Sequence, residues 1–297
     1  MCWLFVSVSA VVSLDRFSKQ AQIEAQAQDI KTLIQRGFVL RNDGDYARAV
    51  EKFSQAIAQD SKNAKALLYR AQTYVQMREH ELAIKDFREV LRLDPTDARA
   101  WHGQGVARAE LGLYPSAVDS FDRALSCGAS SDKNSDKIWY NRGRALLKLE
   151  QYEKALESFD RAVELNGDRY HSWYNRALAQ AALECVQPAI ESVDRTVAIK
   201  PSCHYAWNYR GMLFNRLFKH EEAIESFWRS LQYQVPNPNA WYGLAASYGL
   251  MDNAIAAGIH LRQAVQINPG IYTLRVLNDP SFDTVRDHPK VRTLLQD

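Results

Sequence analysis

The sequence predicts an all-α solenoid, a stack of about seven helix-turn-helix hairpins closed by a C-terminal capping segment, and three observations carry that prediction. Trp101, Trp139, Trp173, Trp207 and Trp241 stand 38, 34, 34 and 34 residues apart. Self-similarity at a fixed period of this size marks an array in which one helical unit cannot bury its apolar face alone. Inside each period, apolar and small residues recur at helical spacing: Trp139, Gly143 and Leu146 share one face, as do Ala155, Phe159 and Ala162. Finally, Pro95, Pro201 and Pro269 punctuate the ends of second helices, because proline removes a donor and clashes with the preceding turn.

The repeats run in order over residues 30–63, 64–97, 98–135, 136–169, 170–203, 204–237 and 238–271. The first carries Leu33, Gly37, Tyr46, Ala49, Phe53 and Ala56; the second Leu67, Ala71, Tyr74, Ala83, Phe87 and Pro95. The third repeats the frame with Trp101, Gly105, Tyr114, Ala117, Phe121 and Ala124, and is four residues longer than its neighbours through Gly128 to Asp132. In the fourth, Leu149 to Tyr152 forms the polar link suited to a tight antiparallel turn. Trp173, Ala177, Ala189 and Pro201 mark the fifth, Trp207, Gly211, Phe214, Ala223, Phe227 and Pro236 the sixth, and Trp241, Ala245, Tyr248, Ala257 and Ala264 the seventh. Small residues at the contact, Gly105, Gly143, Ala177 and Gly211 set against Ala117, Ala155, Ala189 and Ala223, let paired backbones approach closely.

The chain resembles the tetratricopeptide repeat family over residues 30–271. The likeness rests on the 34-residue period, on Trp139-Tyr140-Asn141-Arg142-Gly143 with its echoes at Trp173 and Trp207, on the Ala and Phe of the second helix, and on the closing proline. The resemblance implies a right-handed superhelix whose first helices line a concave groove for peptides or partner helices. It also implies that Asn141 and Asn175 hydrogen-bond the backbone of a bound peptide, since an amide both donates and accepts. Departures are Val193 where phenylalanine is usual, and Ser61 and Gly167 where proline is usual. A carboxylate clamp for chaperone tails is not supported, because Tyr140 with Arg144 and Tyr174 with Leu178 stand where Lys and Asn would be needed.

Composition narrows the function classes. With 37 Lys and Arg against 35 Asp and Glu, the net charge of +2 gives no nucleic-acid footprint. Cys2, Cys127, Cys185 and Cys203 show no metal-ligand or disulfide spacing, the histidines lack recurring partners, and no catalytic motif stands in a usable context, so neither metal, cofactor nor catalytic residue is expected. Met1 to Leu14 is almost wholly apolar or small, too short for a straight membrane span of about 20 residues. A weak signal or anchor, the tail of a span, and a mis-called start all stay open for it, so a cytoplasmic protein with membrane association through residues 1–14 is the expectation. Residues 17–29 read as a polar helical lead-in. Leu274, Leu277, Phe282, Val285, Val291, Leu294 and Leu295 supply residues 272–297 with the apolar contacts of a cap.

A stripe opposite the tryptophan face gives the candidate binding residues. It runs through Lys137, Asn141, Arg144 and Lys148, then His171, Asn175 and Leu178, then Tyr205, Tyr209, Met212 and Arg216. The mixture is too apolar for a face that meets only water and too polar for a core, which suits a protein or peptide groove, with the Lys137–Lys148 stretch favouring an acidic segment. A second column, Arg36, Arg70, Arg142, Arg176 and Arg210, is read as pairing with Asp86, Asp122, Asp160 or Asp194. The expectation is an interaction scaffold or adaptor. The alternative is a regulatory or targeting segment of a larger membrane-linked enzyme, such as a bacterial Ser/Thr kinase, whose catalytic part lies outside this chain.

Overall fold

In a computed structural model, the backbone is described for residues 3–128 and 135–295, and side chains from residue 19 onward. The side chains of the apolar leader, and residues 129–132 of the long third repeat, therefore lie outside the described residues. Among the described residues there is no strand, and no helix is long and apolar enough to cross a membrane. The chain is an all-α solenoid that divides into two compact halves, residues 1–145 and 146–297.

The N-terminal half pairs α1 (Trp3–Asn42) with α2 (Tyr46–Gln59), α3 (Ala64–Gln76) with α4 (His80–Leu93), and α5 (Ala98–Glu110) with α6 (Tyr114–Ser126); the division falls within α7 (Asp136–Lys148). The polar lead-in is not a separate element, since α1 runs through it without a break into the first repeat. Starts are set by side-chain caps: Asp45, Asn63 and Asp97 each accept from backbone N–H groups of the following first turn.

The C-terminal half contains α8 (Tyr152–Leu165) and the hairpins α9 (Tyr170–Ala182) with α10 (Val186–Ile199), α11 (His204–Arg216) with α12 (His220–Tyr233), and α13 (Pro238–Leu250) with α14 (Ala254–Ile267). After it come α15 (Pro269–Asn278), a short turn at Pro280–Phe282 and α16 (Pro289–Arg292), all packed on α13 and α14. Tyr272, Val276, Phe282, Val285 and Val291 of this tail are buried. Its backbone comes close where α13 and α14 have no side chain: a Cβ at Gly258 would stand 2.7 Å from the Lys290 carbonyl oxygen.

Four recurring devices hold the hairpins. First, in three hairpins the small residue of the first helix makes room for a ring: a Cβ on Gly37, Gly105 or Gly211 would lie 2.6 to 2.7 Å from Phe53, Phe121 or Phe227. Gly103 and Gly243 do the same from the next hairpin for Phe87 and Phe227. Second, three indoles donate to a carbonyl six residues back in the inter-hairpin turn, Trp101 to Pro95 at 2.9 Å, Trp173 to Gly167 at 2.8 Å and Trp207 to Pro201 at 2.7 Å. The acceptor is a carbonyl, so Gly167 serves as well as proline.

Third, the turn inside a hairpin closes with the N–H of Asp45, Glu79, Leu113, Cys185, Lys219 and Asn253 on a carbonyl five residues back. The residue before each of these takes positive φ: Gly44 and Gly112, but also Arg78, Glu184, Phe218 and Asp252. Fourth, arginines staple neighbouring second helices. Arg176 reaches back to Asp160 (2.6 Å) and forward to Ser192 (2.8 Å), and Arg210 likewise holds Asp194 (2.7 Å) and Ser226 (2.8 Å). Arg142 takes Asp122 at 2.6 Å. Around Arg70 the partners are exchanged, with the hydroxyl, Ser54, behind (3.0 Å) and the carboxylate, Asp86, ahead (2.7 and 2.8 Å). The expected Arg–Asp pairing thus holds for these four arginines.

Candidate interaction walls

First helices of successive hairpins stand side by side, α1 beside α3 and α3 beside α5 in one half, α11 beside α13 in the other. Their faces away from the second helices form a wall in each half, and the two walls differ in chemistry.

The N-terminal wall borders a hollow of about 710 Å³ lined by Arg41, Gln72, Gln76, Arg99, His102, Gly103, Val106 and Lys137 among others. A second hollow of about 450 Å³ lies against Ile30, Lys31, Ile34, Gln35, Phe38, Lys65 and Tyr69. Among the described residues, no Asp or Glu lines either. Arg41 has no carboxylate partner among the described residues; it donates to Gln72 at 2.9 Å and lies over the rings of Phe38 (4.9 Å) and Tyr69 (5.2 Å). Burial lowers its pKa. Arg99 is held by Asp97 at 2.7 Å, while Lys31, Lys65 and Lys137 are exposed. His102 is pushed down to about 4 by burial and then by the charge of Lys137. Its Nε2 stands 3.1 Å from the Asn141 Nδ2, so in the neutral ring that nitrogen accepts.

The C-terminal wall is aromatic. Tyr174 meets Tyr205 edge-on at 4.8 Å and Tyr209 at 5.8 Å. Together with Met212, Leu250, Tyr242 and Asn208 they border a hollow of about 540 Å³. Burial, then Tyr209 and Cys203, push the Tyr174 hydroxyl up to about 12. Burial also raises Tyr209, and burial followed by the Asp279 bond raises Tyr242, so these phenols stay protonated and able to donate. The hollow ends at the tail: the Tyr242 hydroxyl donates to Asp279 at 2.6 Å, the Tyr272 hydroxyl donates to Asn239 at 2.9 Å, and Arg275 covers the Tyr242 ring at 4.4 Å.

Of the residues predicted from the stripe, Lys137, Asn141 and Arg144 belong to the first wall, and Tyr205, Tyr209, Met212 and Arg216 border the hollow of the second. Lys137, Arg144, Lys148, His171, Met212 and Arg216 are exposed and Leu178 is half-buried. The amides are committed internally, because Asn175 donates to the His171 carbonyl at 2.8 Å within its own helix and Asn141 meets His102. Arg216 is tied to Glu184. Sequence reasoning missed Arg41, Tyr174, Asn208 and Tyr242. Their positions one turn away from the chosen stripe were the available signal.

Stacked helix hairpins with an uncovered wall of first helices define a helical-repeat interaction scaffold. Profiles described as tetratricopeptide repeat match residues 35–97, 70–133 and 136–168. A profile described as protein prenyltransferase alpha subunit repeat matches residues 186–217, where Val193 replaces phenylalanine. Among curated relatives, the small glutamine-rich tetratricopeptide repeat-containing protein 2 of Saccharomyces cerevisiae is 27% identical over 35% of this chain and 30% of its own length. The photosystem I assembly protein Ycf3 of Synechococcus is 27% identical over 34% of this chain and 61% of its own. The matches thus span less than two thirds of these relatives. The crystal structure of YrrB, described as a TPR protein with an unusual peptide-binding site, is 25% identical with a TM-score of 0.58 over 65% of this chain and 97% of that one. A tetratricopeptide repeat protein from Parabacteroides merdae, 14% identical, shares the fold over 90% of this chain and 98% of its own with a TM-score of 0.60. The chain belongs to the tetratricopeptide repeat family.

Proposed function

We propose that this scaffold receives segments of partner protein on its walls of first helices: Lys137, Asn141, Arg144 and Lys148 favour acidic residues, and, as a contact of the C-terminal half, His171, Asn175, Leu178, Tyr205, Tyr209, Met212 and Arg216 take a segment of mixed chemistry. The observation that carries the reading is the C-terminal wall. Met212 and Leu250 are exposed beside a cluster of protonated tyrosines around an open hollow, a mixture of apolar surface and hydroxyl donors that suits a peptide better than water. The peptide-binding site described for YrrB, which shares the fold at 25% identity, supports it. A photo-crosslinking amino acid placed at Met212, and separately at the exposed Glu221 of α12, tests the reading in cells. Partner adducts at Met212 and not at Glu221 are expected; adducts only at Glu221 would move the contact to the opposite surface.

A further inference from the structure

Charge is sharply divided between the two walls, although the whole chain carries only +2. The second residue of successive repeats is Lys31, Lys65, Arg99 and Lys137, then His171, Tyr205 and Asn239. One cation per hairpin therefore marks the N-terminal wall, and the column becomes neutral in the C-terminal half. Arg41 adds a guanidinium whose partners are an amide and two rings. Asp97 already holds Arg99, so Lys31, Lys65, Arg41 and Lys137 supply the charge that no carboxylate lining the hollows offsets among the described residues.

We propose that the N-terminal wall binds an extended acidic protein segment whose carboxylates recur at about every third residue. This deepens the scaffold reading and rests on it. Packed helices lie about 8–10 Å apart, and an extended chain advances about 3.3 Å per residue, so one carboxylate per hairpin needs three residues. Between the cations, the amides of Gln35 and Gln76 can meet the backbone of such a strand. A nucleic acid fits less well. Its recognition by stacking needs free ring faces, whereas Phe38 and Tyr69 already carry Arg41.

Fluorescence anisotropy on the full chain tests the proposal with four labelled probes: a synthetic peptide with glutamate at every third position, an isomer with the same glutamates in one block, a glutamine version and a single-stranded oligouridylate. The spaced acidic peptide should bind most tightly and weaken as salt rises. Reversing Lys31, Lys65 and Lys137 together to Glu should lower its affinity by about tenfold or more, whereas Lys154→Glu, at an exposed position of the second helix α8, should leave it unchanged. Helical circular dichroism checks folding, and the triple Lys→Gln variant answers the same question should the reversal fail to fold. Unchanged affinity in the folded lysine variant, equal binding of the block or glutamine peptide, or tighter binding of the oligouridylate would overturn the proposal. Crosslinking at Met212 would stand or fall separately, so failure here is distinguishable from failure of the scaffold reading.

Discussion

His102 ties stability to pH at a single residue. Its folded pKa near 4 lies below the ordinary 6.5 because burial, then Lys137, disfavours the imidazolium. Between those values the unfolded chain binds a proton that the folded chain refuses, so the contribution is complete above 6.5 and is lost as pH falls towards 4. The loss should be on the order of 2 kcal/mol, read as a lower urea midpoint at about pH 5 than at about pH 7, and His102→Gln should flatten that dependence. Phe218 offers an opposite case. It is 80% exposed and holds φ at 58°, a left-handed conformation that costs a side chain energy. Phe218→Gly should therefore raise stability by about 1 kcal/mol, measured as a higher denaturant midpoint. The sequence shows a tight turn there but not its φ, because Phe, Glu, Arg and Asp occupy positions where only Gly44 and Gly112 advertise the geometry.

At the scale of elements, helix pairing was plain from the period, and what the periodic residues do was not. Tryptophan could be read as a core filler from spacing alone; its indole bond to the preceding turn needed coordinates. Removing that bond by Trp207→Phe leaves the Pro201 carbonyl without its donor and should cost about 1 kcal/mol, seen in the denaturant midpoint. The ring-to-glycine fit makes a sharper test. Gly105→Ala sets a methyl 2.6 Å from the Phe121 ring, so a loss of about 1–3 kcal/mol is expected from overpacking. Adding Phe121→Leu should recover part of it, a coupling that a double-mutant cycle measures. Asn141 and Asn175 illustrate the limit of a face argument: spacing put them on the wall, but whether an amide is free depends on His102 and on the His171 carbonyl, which spacing does not reveal.

Across the molecule, the C-terminal half depends on its tail. Tyr272, Val276, Phe282, Val285 and Val291 are buried against α13 and α14, each burial worth on the order of 2 kcal/mol. Deleting residues 272–297 should lower the melting temperature and expose Tyr242, whose hydroxyl would lose Asp279; an unchanged melt would show that the tail stabilises nothing. The apolar residues of that segment were legible, whereas its closure of the aromatic hollow through Arg275 and Asp279 was not, because polar contacts across long separations leave no periodic trace.

The arginine staples also restrict how such a chain can grow by copying its own modules. A tandem duplicate of α9–α10 would place Asp194 before a second Arg176 and recreate the native pair. A duplicate of α3–α4 would instead set Arg88, which now precedes Gln104, before a second Arg70. Like charges would then meet at a half-buried seam, so the first insertion should fold and the second should melt early, making some hairpins heritable building blocks and others fixed to one address.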